Sequence, residues 1–305
     1  MSEPQTGAAS GAADPGLAER RIGYACAVSV LFVWTGFLVF SRLSAQQALT
    51  PWDMGALRFT CSFLVALPLV AIFGLPRLKL RQVAAIGAFA SFGFPIFAFN
   101  GFAFAPASHG GVLMPGMLPF LTAALAGPLL HEAWTRRRLL SLGVVACGIG
   151  LLAFDTFGAH PGAWRGDLLF LCAALSWSSY AVLARRWRIP AMQATIAMAL
   201  IPAPLYLPVW WAFLPSNLAA VPAGVIGFHF LFQGIMATVL SAFLFTRAVA
   251  AIGPTRTTTV TALTPAMGAL LAWPLLGEAL GAAGLAGVAL VSLGMVLGVA
   301  GRAAR

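Results

Sequence analysis

The sequence has too little charge for a protein surrounded by water. Only 9% of its 305 residues are charged, with eight acidic residues and one lysine, whereas 60% are hydrophobic and the mean hydropathy is +0.92. Soluble domains carry roughly 25% charged residues, so this composition excludes an ordinary soluble fold. The cysteines lie in apolar segments without paired spacing, which argues against disulfides and metal ligands; they are Cys26, Cys61, Cys147 and Cys172.

The common catalytic and nucleotide-binding motifs are also missing. The sequence contains no Walker A loop, dinucleotide fingerprint, His-Glu-x-x-His or Gly-x-Ser-x-Gly, and His131-Glu132 has no second histidine. We therefore expect no cofactor, no metal and no enzyme activity. A rival class is an intramembrane lipid-modifying enzyme, for which Asn100 and His109 offer only a weak start.

Long apolar runs fill almost the whole chain. A helix needs about 20 apolar residues to cross the hydrocarbon layer, and ten such segments can be counted, although weak boundaries after the third and eighth leave eight or nine open. The segments are 22–41, 51–73, 82–104, 109–130, 138–154, 166–184, 193–213, 223–249, 257–276 and 282–300.

The second half of the chain repeats the first. Trp34 precedes Arg42 by eight residues, as Trp177 precedes Arg185, and the segment that ends at Glu132 reappears in the segment that ends at Glu278. Five spans per copy invert the second copy in the membrane, a pattern typical of transporters. We predict an all-α membrane protein with ten transmembrane helices in two inverted five-helix repeats around a central cavity. Its predicted parts are a disordered tail (1–19), the first repeat (20–154), a linker (155–165), the second repeat (166–301) and a short tail (302–305).

The net charge of +10 follows the positive-inside rule and does not indicate nucleic-acid binding. Fifteen of the eighteen basic residues fall in the tails and loops of one side, whereas Arg42 and Arg165 fall on the other side and Arg58 lies within a span. Cytoplasmic loops carry such an excess. We therefore expect both termini in the cytoplasm. Seventeen arginines to one lysine, with abundant alanine and glycine, suggest a bacterial genome and hence a location in the bacterial inner membrane.

These residues resemble the drug/metabolite transporter superfamily, in its ten-span EamA-type bacterial branch. The resemblance covers about residues 20–301 and is carried by the Trp34 and Trp177 helices, by Arg58, and by the Leu-x-Pro…Leu-Leu-x-Glu pattern. It implies export of small metabolites, often amino acids, through a cavity lined mainly by helices 1, 3, 4, 6, 8 and 9. Small multidrug exporters of this superfamily use a membrane-embedded glutamate, which this chain lacks. All eight carboxylates lie in the tail or near span ends, which disfavours that type of proton coupling.

The candidate substrate-binding residues are polar or aromatic side chains inside spans. His229 and Gln233 share one helical face, either as a binding edge or as an interhelical hydrogen bond. Trp34, Trp177 and Tyr180 lie well inside spans, where they form either an aromatic cavity wall or ordinary packing.

Four further candidates surround the connection between the third and fourth spans. Asn100 and His109 either line the mouth of a cavity or cap a tight connection, and Phe97 and Met114 either contribute an apolar lining or fill the core. For Arg58 the preferred role is structural, by snorkelling or by pairing with Asp53; the alternative is binding of a substrate carboxylate.

These features predict an exporter of small amphipathic metabolites, with aromatic or aliphatic amino acids as the leading class. Neutral sugars or lipid head groups are the alternative substrates. The expected partners are a small-molecule substrate and the lipid bilayer, and Gly294-x-x-x-Gly298 leaves a monomer or a homodimer open.

Overall fold

The computed structural model describes residues 16–130, 136–159 and 162–300, and this part of the chain is helical without strands. Ten helical segments confirm the predicted all-α fold. Eight are long and apolar enough to cross a membrane, and the fifth and tenth contain the shorter apolar stretches Leu139–Asp155 and Ala282–Gly298. The segments are α1 (Leu17–Gln46), α2 (Pro51–Phe73), α3 (Leu80–Phe104), α4 (Ala107–Leu130), α5 (Arg136–Ala159), α6 (Trp164–Arg186), α7 (Ala191–Phe213), α8 (Ala223–Ile252), α9 (Pro254–Thr261 with Thr264–Leu276) and α10 (Ala282–Ala300).

The two uncertain boundaries are genuine helix ends. Ala105 adopts an extended conformation before Pro106, whose missing N–H suits the start of a new helix, and this separates α3 from α4. Gly253 has φ +84° and separates α8 from α9, a conformation that glycine adopts without steric cost. Among the described residues, neither the third and fourth segments nor the eighth and ninth form one continuous helix.

Several predicted boundaries move by a few residues. Helix α1 already begins at Leu17, inside the predicted tail, and α5 continues to Ala159, inside the predicted linker 155–165. Most of the tails, together with Glu132, lie outside the described residues.

Successive helices have ends on two opposite faces of the bundle. We call the face at which α1 begins and α2 ends the near face, and the face at which α1 ends and α2 begins the far face. Glu19 contacts Arg247 at the near face, and Arg42 contacts Glu278 at the far face. Both ion pairs join α1, the first helix of the bundle, to the second repeat.

The fifth helices of the two repeats pack directly against each other. A Cβ atom on Gly148 of α5 would lie 2.6 Å from the carbonyl oxygen of Gly287 in α10. Ser141 Oγ also donates a hydrogen bond to the carbonyl oxygen of Gly294, at 2.7 Å. The small residues therefore allow close backbone approach within one chain. The Gly294-x-x-x-Gly298 motif contributes to this intrachain contact, because added Cβ atoms on its glycines would meet Val145 and Ser141.

The third helix of each repeat contains a π-helical segment at the same repeat position. These segments are Ile86–Gly93 in α3 and Phe232–Leu240 in α8, and their starts are 146 residues apart, as are Glu132 and Glu278. Ser176 of α6 donates to the carbonyl oxygen of Phe89, at 2.9 Å. π segments shift side-chain directions and occur frequently at functional sites. The residues that they contain or border are therefore candidates for a functional site.

Candidate functional site

Arg58 has its charged group at the interface between the two repeats. Its guanidinium carbon lies 5.7 Å from the centre of the Phe37 ring in α1, and its Nη1 donates a long hydrogen bond of 3.4 Å to Gln233 Oε1 in α8. The side chain is half-buried. Within the described part of the chain, no carboxylate forms an ion pair with it. A cation at this depth is costly in a membrane unless it contacts other polar or charged groups.

The sequence-based expectation that Asp53 pairs with Arg58 is wrong. The Asp53 carboxylate accepts hydrogen bonds from the backbone N–H of Thr50, from Trp210 Nε1 and from the backbone N–H of Asn217, at 3.0 to 3.2 Å. Thr50 and Asp53 form a capping box at the start of α2. These neutral donors provide the hydrogen bonds of the Asp53 carboxylate at the far-face end of α2. Asp53 therefore stabilises a helix end and an interhelical contact.

His229 and Gln233 are both fully buried in α8, as their common helical face predicts. Gln233 Nε2 donates to Ser41 Oγ in α1 at 3.1 Å, and His229 Nε2 lies 2.9 Å from Gln47 Oε1. The pair therefore forms interhelical hydrogen bonds, which was one of the two expected roles. The other His229 ring nitrogen, Nδ1, is buried without a hydrogen-bond partner in the described structure. A substrate-binding role for either residue remains a prediction.

A continuous series of aromatic rings begins beside Arg58 and crosses from the first repeat into the second. Phe37 stacks on Phe94 with ring centres 6.0 Å apart, Phe94 lies 5.2 Å from Trp177, and Trp177 lies 5.4 Å from Tyr180. We call these four residues the aromatic strip. Phe94, Trp177 and Tyr180 are half-buried, and Phe94 directly follows the π segment of α3. The half-buried rings of the strip offer an apolar, aromatic surface that suits a hydrophobic or aromatic ligand.

Trp34 occupies the repeat position equivalent to Trp177 but has a different ring partner. It stacks on Phe245 of α8 with ring centres 5.7 Å apart. No ring contact between Trp34 and the aromatic strip is found in the described residues. Met114 is buried in the largest hydrophobic cluster, with Phe37 and Phe102. The predicted candidates therefore do not form one cluster: Trp177 and Tyr180 belong to the strip, Met114 lies in the hydrophobic cluster that also contains Phe37, and Trp34 packs on Phe245.

The polar residues around the α3–α4 connection make local structural contacts. Asn100 donates to the carbonyl oxygen of Ile96 in its own helix at 2.9 Å, and His109 Nδ1 lies 2.8 Å from Asp167 Oδ1 at the start of α6. His109 is buried, whereas 36% of the Phe97 surface is exposed. Asp167 is a partner that the sequence analysis missed. These contacts do not unite Asn100 and His109 into a reactive constellation.

Arg42 and Glu278 form a polar clamp at the far face that was also missed. Arg42 Nε lies 2.6 Å from Glu278 Oε1, and Arg42 Nη1 donates to the carbonyl oxygen of Phe102 at 2.7 Å. The other Glu278 oxygen accepts from the backbone N–H of Ala107 at 2.8 Å. Arg42 has a counterpart in Arg185, and Glu278 has a counterpart in Glu132. This recurrence in the two repeats was the sequence signal that could have linked Arg42 and Glu278.

The described residues offer no group of three His, Cys, Asp or Glu side chains that could hold a metal ion. A surface groove at the near face lies between the end of α2 and the start of α7, with Phe73, Arg77 and Gln193 among its lining residues. None of the strip residues lines this groove. The candidate binding site is the interface between the repeats, because a cation, Arg58, and aromatic rings from both repeats lie there.

A bundle of ten apolar helices is a multi-pass membrane protein, and comparison with known proteins gives its family. The model of the EamA-like transporter family matches residues 21–154 and again 164–299. The chain belongs to this family, within the drug/metabolite transporter superfamily. Each match contains five of the helices. The chain is a transporter of a bacterial family and not an enzyme.

Three curated proteins are similar over most of the chain. An uncharacterized transporter of Bacillus subtilis (strain 168), YyaM, is 25% identical over 88% of this chain and 93% of that protein. A probable amino-acid metabolite efflux pump of Salmonella typhimurium (strain LT2) is 26% identical over 90% of this chain and 94% of that protein. The aromatic amino acid exporter YddG of Ancylobacter novellus is 29% identical over 65% of this chain and 74% of that protein.

A solved protein crystal structure shares the fold. It superposes with a TM-score of 0.63 at 21% identity, and the match covers 94% of this chain and 99% of the other. This likeness concerns the fold alone.

Proposed function

We propose that this transporter exports small amphipathic metabolites, with aromatic and aliphatic amino acids as the leading class. The observation that carries the proposal is the aromatic strip, which includes Phe37 and Phe94 from the first repeat and Trp177 and Tyr180 from the second. A ligand that rests on this strip contacts both halves. Movement of one half against the other would then expose it to alternate sides of the membrane.

The charge distribution supports the location and the orientation of the protein in the membrane. The near face receives most of the basic residues, such as Arg81, Arg186 and Arg247. The positive-inside rule places this face in the cytoplasm of a bacterial inner membrane. Export then moves a ligand from the near face to the far face. Two of the similar proteins are named as an amino-acid metabolite efflux pump and an aromatic amino acid exporter, which supports this direction and substrate class.

Transport in this proposal does not require a carboxylate that carries protons through the membrane. The described acidic residues lie near helix ends, where they cap helices or form ion pairs; they are Glu19, Asp53, Asp155, Asp167 and Glu278. Among the described residues, no acidic side chain forms a hydrogen bond with the aromatic strip. Substrate can therefore move down its own concentration gradient.

A substrate panel tests the proposal. Purified protein in liposomes is loaded with individual unlabelled amino acids or neutral sugars, and uptake of the matching labelled compound by counterflow is compared with protein-free liposomes. We expect counterflow for phenylalanine, tryptophan or leucine and background uptake for the sugars. Counterflow of a sugar, together with background uptake of every amino acid, would support the alternative class of neutral sugars or lipid head groups.

A further inference from the structure

Arg58 is a positive charge inside the bundle whose balancing charge does not come from a described residue. It is the eighth residue of α2, and at 1.5 Å per residue it lies roughly 10 Å from the start of that helix. The guanidinium faces inward, because its contacts are Phe37 of α1 and Gln233 of α8. A charged side chain within a membrane span usually marks a ligand or ion pathway.

The hydrogen-bonding capacity of Arg58 is largely unused. A guanidinium has five N–H donors, yet the single hydrogen bond that Arg58 makes to described residues is the 3.4 Å contact with Gln233 Oε1. The ring face of Phe37 stabilises the cation by a cation–π interaction but occupies no N–H donor. Two parallel N–H groups of an arginine match the two oxygens of a carboxylate.

Gln233 is held in an orientation that suits this role. Its Nε2 donates to Ser41 Oγ at 3.1 Å, which turns Oε1 towards Arg58. Gly234 allows α8 to approach α2 at this point, because a Cβ atom there would collide with Cys61. Gln233 therefore acts as a positioning residue for the guanidinium.

The nearby acids are engaged elsewhere. Asp53 accepts three hydrogen bonds at the start of α2, Glu278 pairs with Arg42, and Asp167 contacts His109. A ligand anion at Arg58 would thus compete with no described carboxylate. Its apolar part would meet the half-buried rings of the aromatic strip, Phe94 and Trp177, because Phe37 itself is buried.

We propose that Arg58 binds the carboxylate of the transported substrate, while the aromatic strip receives its apolar side chain. This inference rests on the proposed function and narrows its substrates to amphipathic molecules with a free carboxylate. Among amino-acid derivatives, the amide and the decarboxylated amine of the same side chain bind much more weakly. The amide and the amine cannot form the ion pair with its two hydrogen bonds. We therefore expect the protein to bind the acid roughly 10- to 100-fold more tightly than either derivative.

The test measures how phenylalanine, phenylalaninamide and phenethylamine inhibit counterflow of labelled phenylalanine in liposomes. The wild-type protein is compared with Arg58→Gln, Arg58→Lys and Gln233→Glu, and Arg165→Gln serves as a matched control because Arg165 is exposed near the start of α6. We expect the wild type and Arg165→Gln to prefer phenylalanine over the amide and the amine roughly 10- to 100-fold. Arg58→Gln should lose this preference, and Arg58→Lys should keep part of it.

Gln233→Glu separates substrate binding from a purely structural role. The new carboxylate would pair with Arg58 and exclude the substrate carboxylate, while the fold gains an ion pair. We expect lost phenylalanine transport with a melting temperature in detergent no lower than that of the wild type. If Arg58 is only structural, Gln233→Glu keeps normal transport, and folded Arg58→Gln keeps the wild-type preference; either result overturns the proposal.

The experiment distinguishes a failure of the proposed function from a failure of the Arg58 assignment. A wild-type protein that gives no counterflow with any amino acid contradicts the proposed function itself. A wild-type protein that transports phenylalanine, but is inhibited equally by the acid, the amide and the amine, contradicts the assignment of Arg58 alone.

Discussion

Arg42 and Glu278 join the first repeat to the second at the far face, with Arg42 Nε 2.6 Å from Glu278 Oε1. Both side chains are largely buried, at 21% and 10% exposed. Glu278 also accepts the backbone N–H of Ala107, and Arg42 also donates to the carbonyl oxygen of Phe102. The pair therefore holds the end of α1, the end of α9 and the α3–α4 connection together.

The clamp predicts a measurable coupling between its two residues. Arg42→Gln or Glu278→Gln should each lower the stability by about 1–3 kcal/mol, because each leaves a partly buried charge without its partner. The double variant should lose less than the sum of the two. Melting temperatures of the purified proteins in one detergent provide the measurement, with Arg165→Gln as the exposed control. Strictly additive losses would show that the two side chains do not interact.

Gly234 predicts a steric effect that a second glycine controls. Gly234→Ala should destabilise the protein by about 1–3 kcal/mol, because the new methyl group overlaps Cys61 where α8 meets α2. Gly227→Ala in the same helix should be neutral or slightly stabilising, since no atom lies within 4 Å of its Cβ position. Thermal unfolding of both variants tests this, and Cys61→Gly should partly rescue Gly234→Ala. Equal stability of the two alanine variants would contradict the close approach.

The charge distribution predicts the topology. A reporter fused after Arg305 should behave as cytoplasmic, and one fused after Gly162, between α5 and α6, should behave as periplasmic. The reason is the excess of arginine at the near face. Paired fusions to alkaline phosphatase and to a fluorescent protein provide the readout. A periplasmic C-terminus would contradict either the orientation or the even number of spans.

The positions of the carboxylates predict transport without an imposed pH difference. Liposomes that contain the protein should equilibrate labelled substrate when the internal and external buffers have the same pH. Collapse of any residual gradient with a protonophore should leave the initial rate within about twofold of the untreated rate, because the described carboxylates lie near helix ends and not deep in a span. Strict dependence on a pH gradient would instead assign a coupling role to His229 or to the pair of His109 and Asp167.

Much of the fold was predictable because hydropathy and repetition are local or periodic properties of the sequence. The ten helices follow from apolar length, and Gly253 and Pro106 end helices through their backbone chemistry. The capping box of Thr50 and Asp53 is also readable from the sequence, and it removes Asp53 as a partner for Arg58. The π segments were not predictable, since an almost uniformly apolar stretch such as Ile86–Gly93 carries no periodic signal for an altered turn.

The candidate site was only partly predictable, because tertiary contacts decide which residues meet. The common face of His229 and Gln233 followed from helical spacing, but their partners Gln47, Ser41 and Arg58 are distant in sequence. The repeat suggested equal roles for Trp34 and Trp177. Their different neighbours, Phe245 and Phe94, give them different surroundings.

The most direct test of the central claim, that the aromatic strip binds the transported substrate, compares three tryptophan variants. Trp177→Ala should lower phenylalanine counterflow per folded molecule by about tenfold, because it removes the strip's largest ring. Trp211→Ala should keep normal transport, since Trp211 is 84% exposed in α7. Trp34→Ala should lower the melting temperature through loss of its packing on Phe245, with transport per folded molecule retained. Counterflow and melting temperature are measured on the same preparations. Normal transport by Trp177→Ala, whether or not its stability falls, would contradict the account.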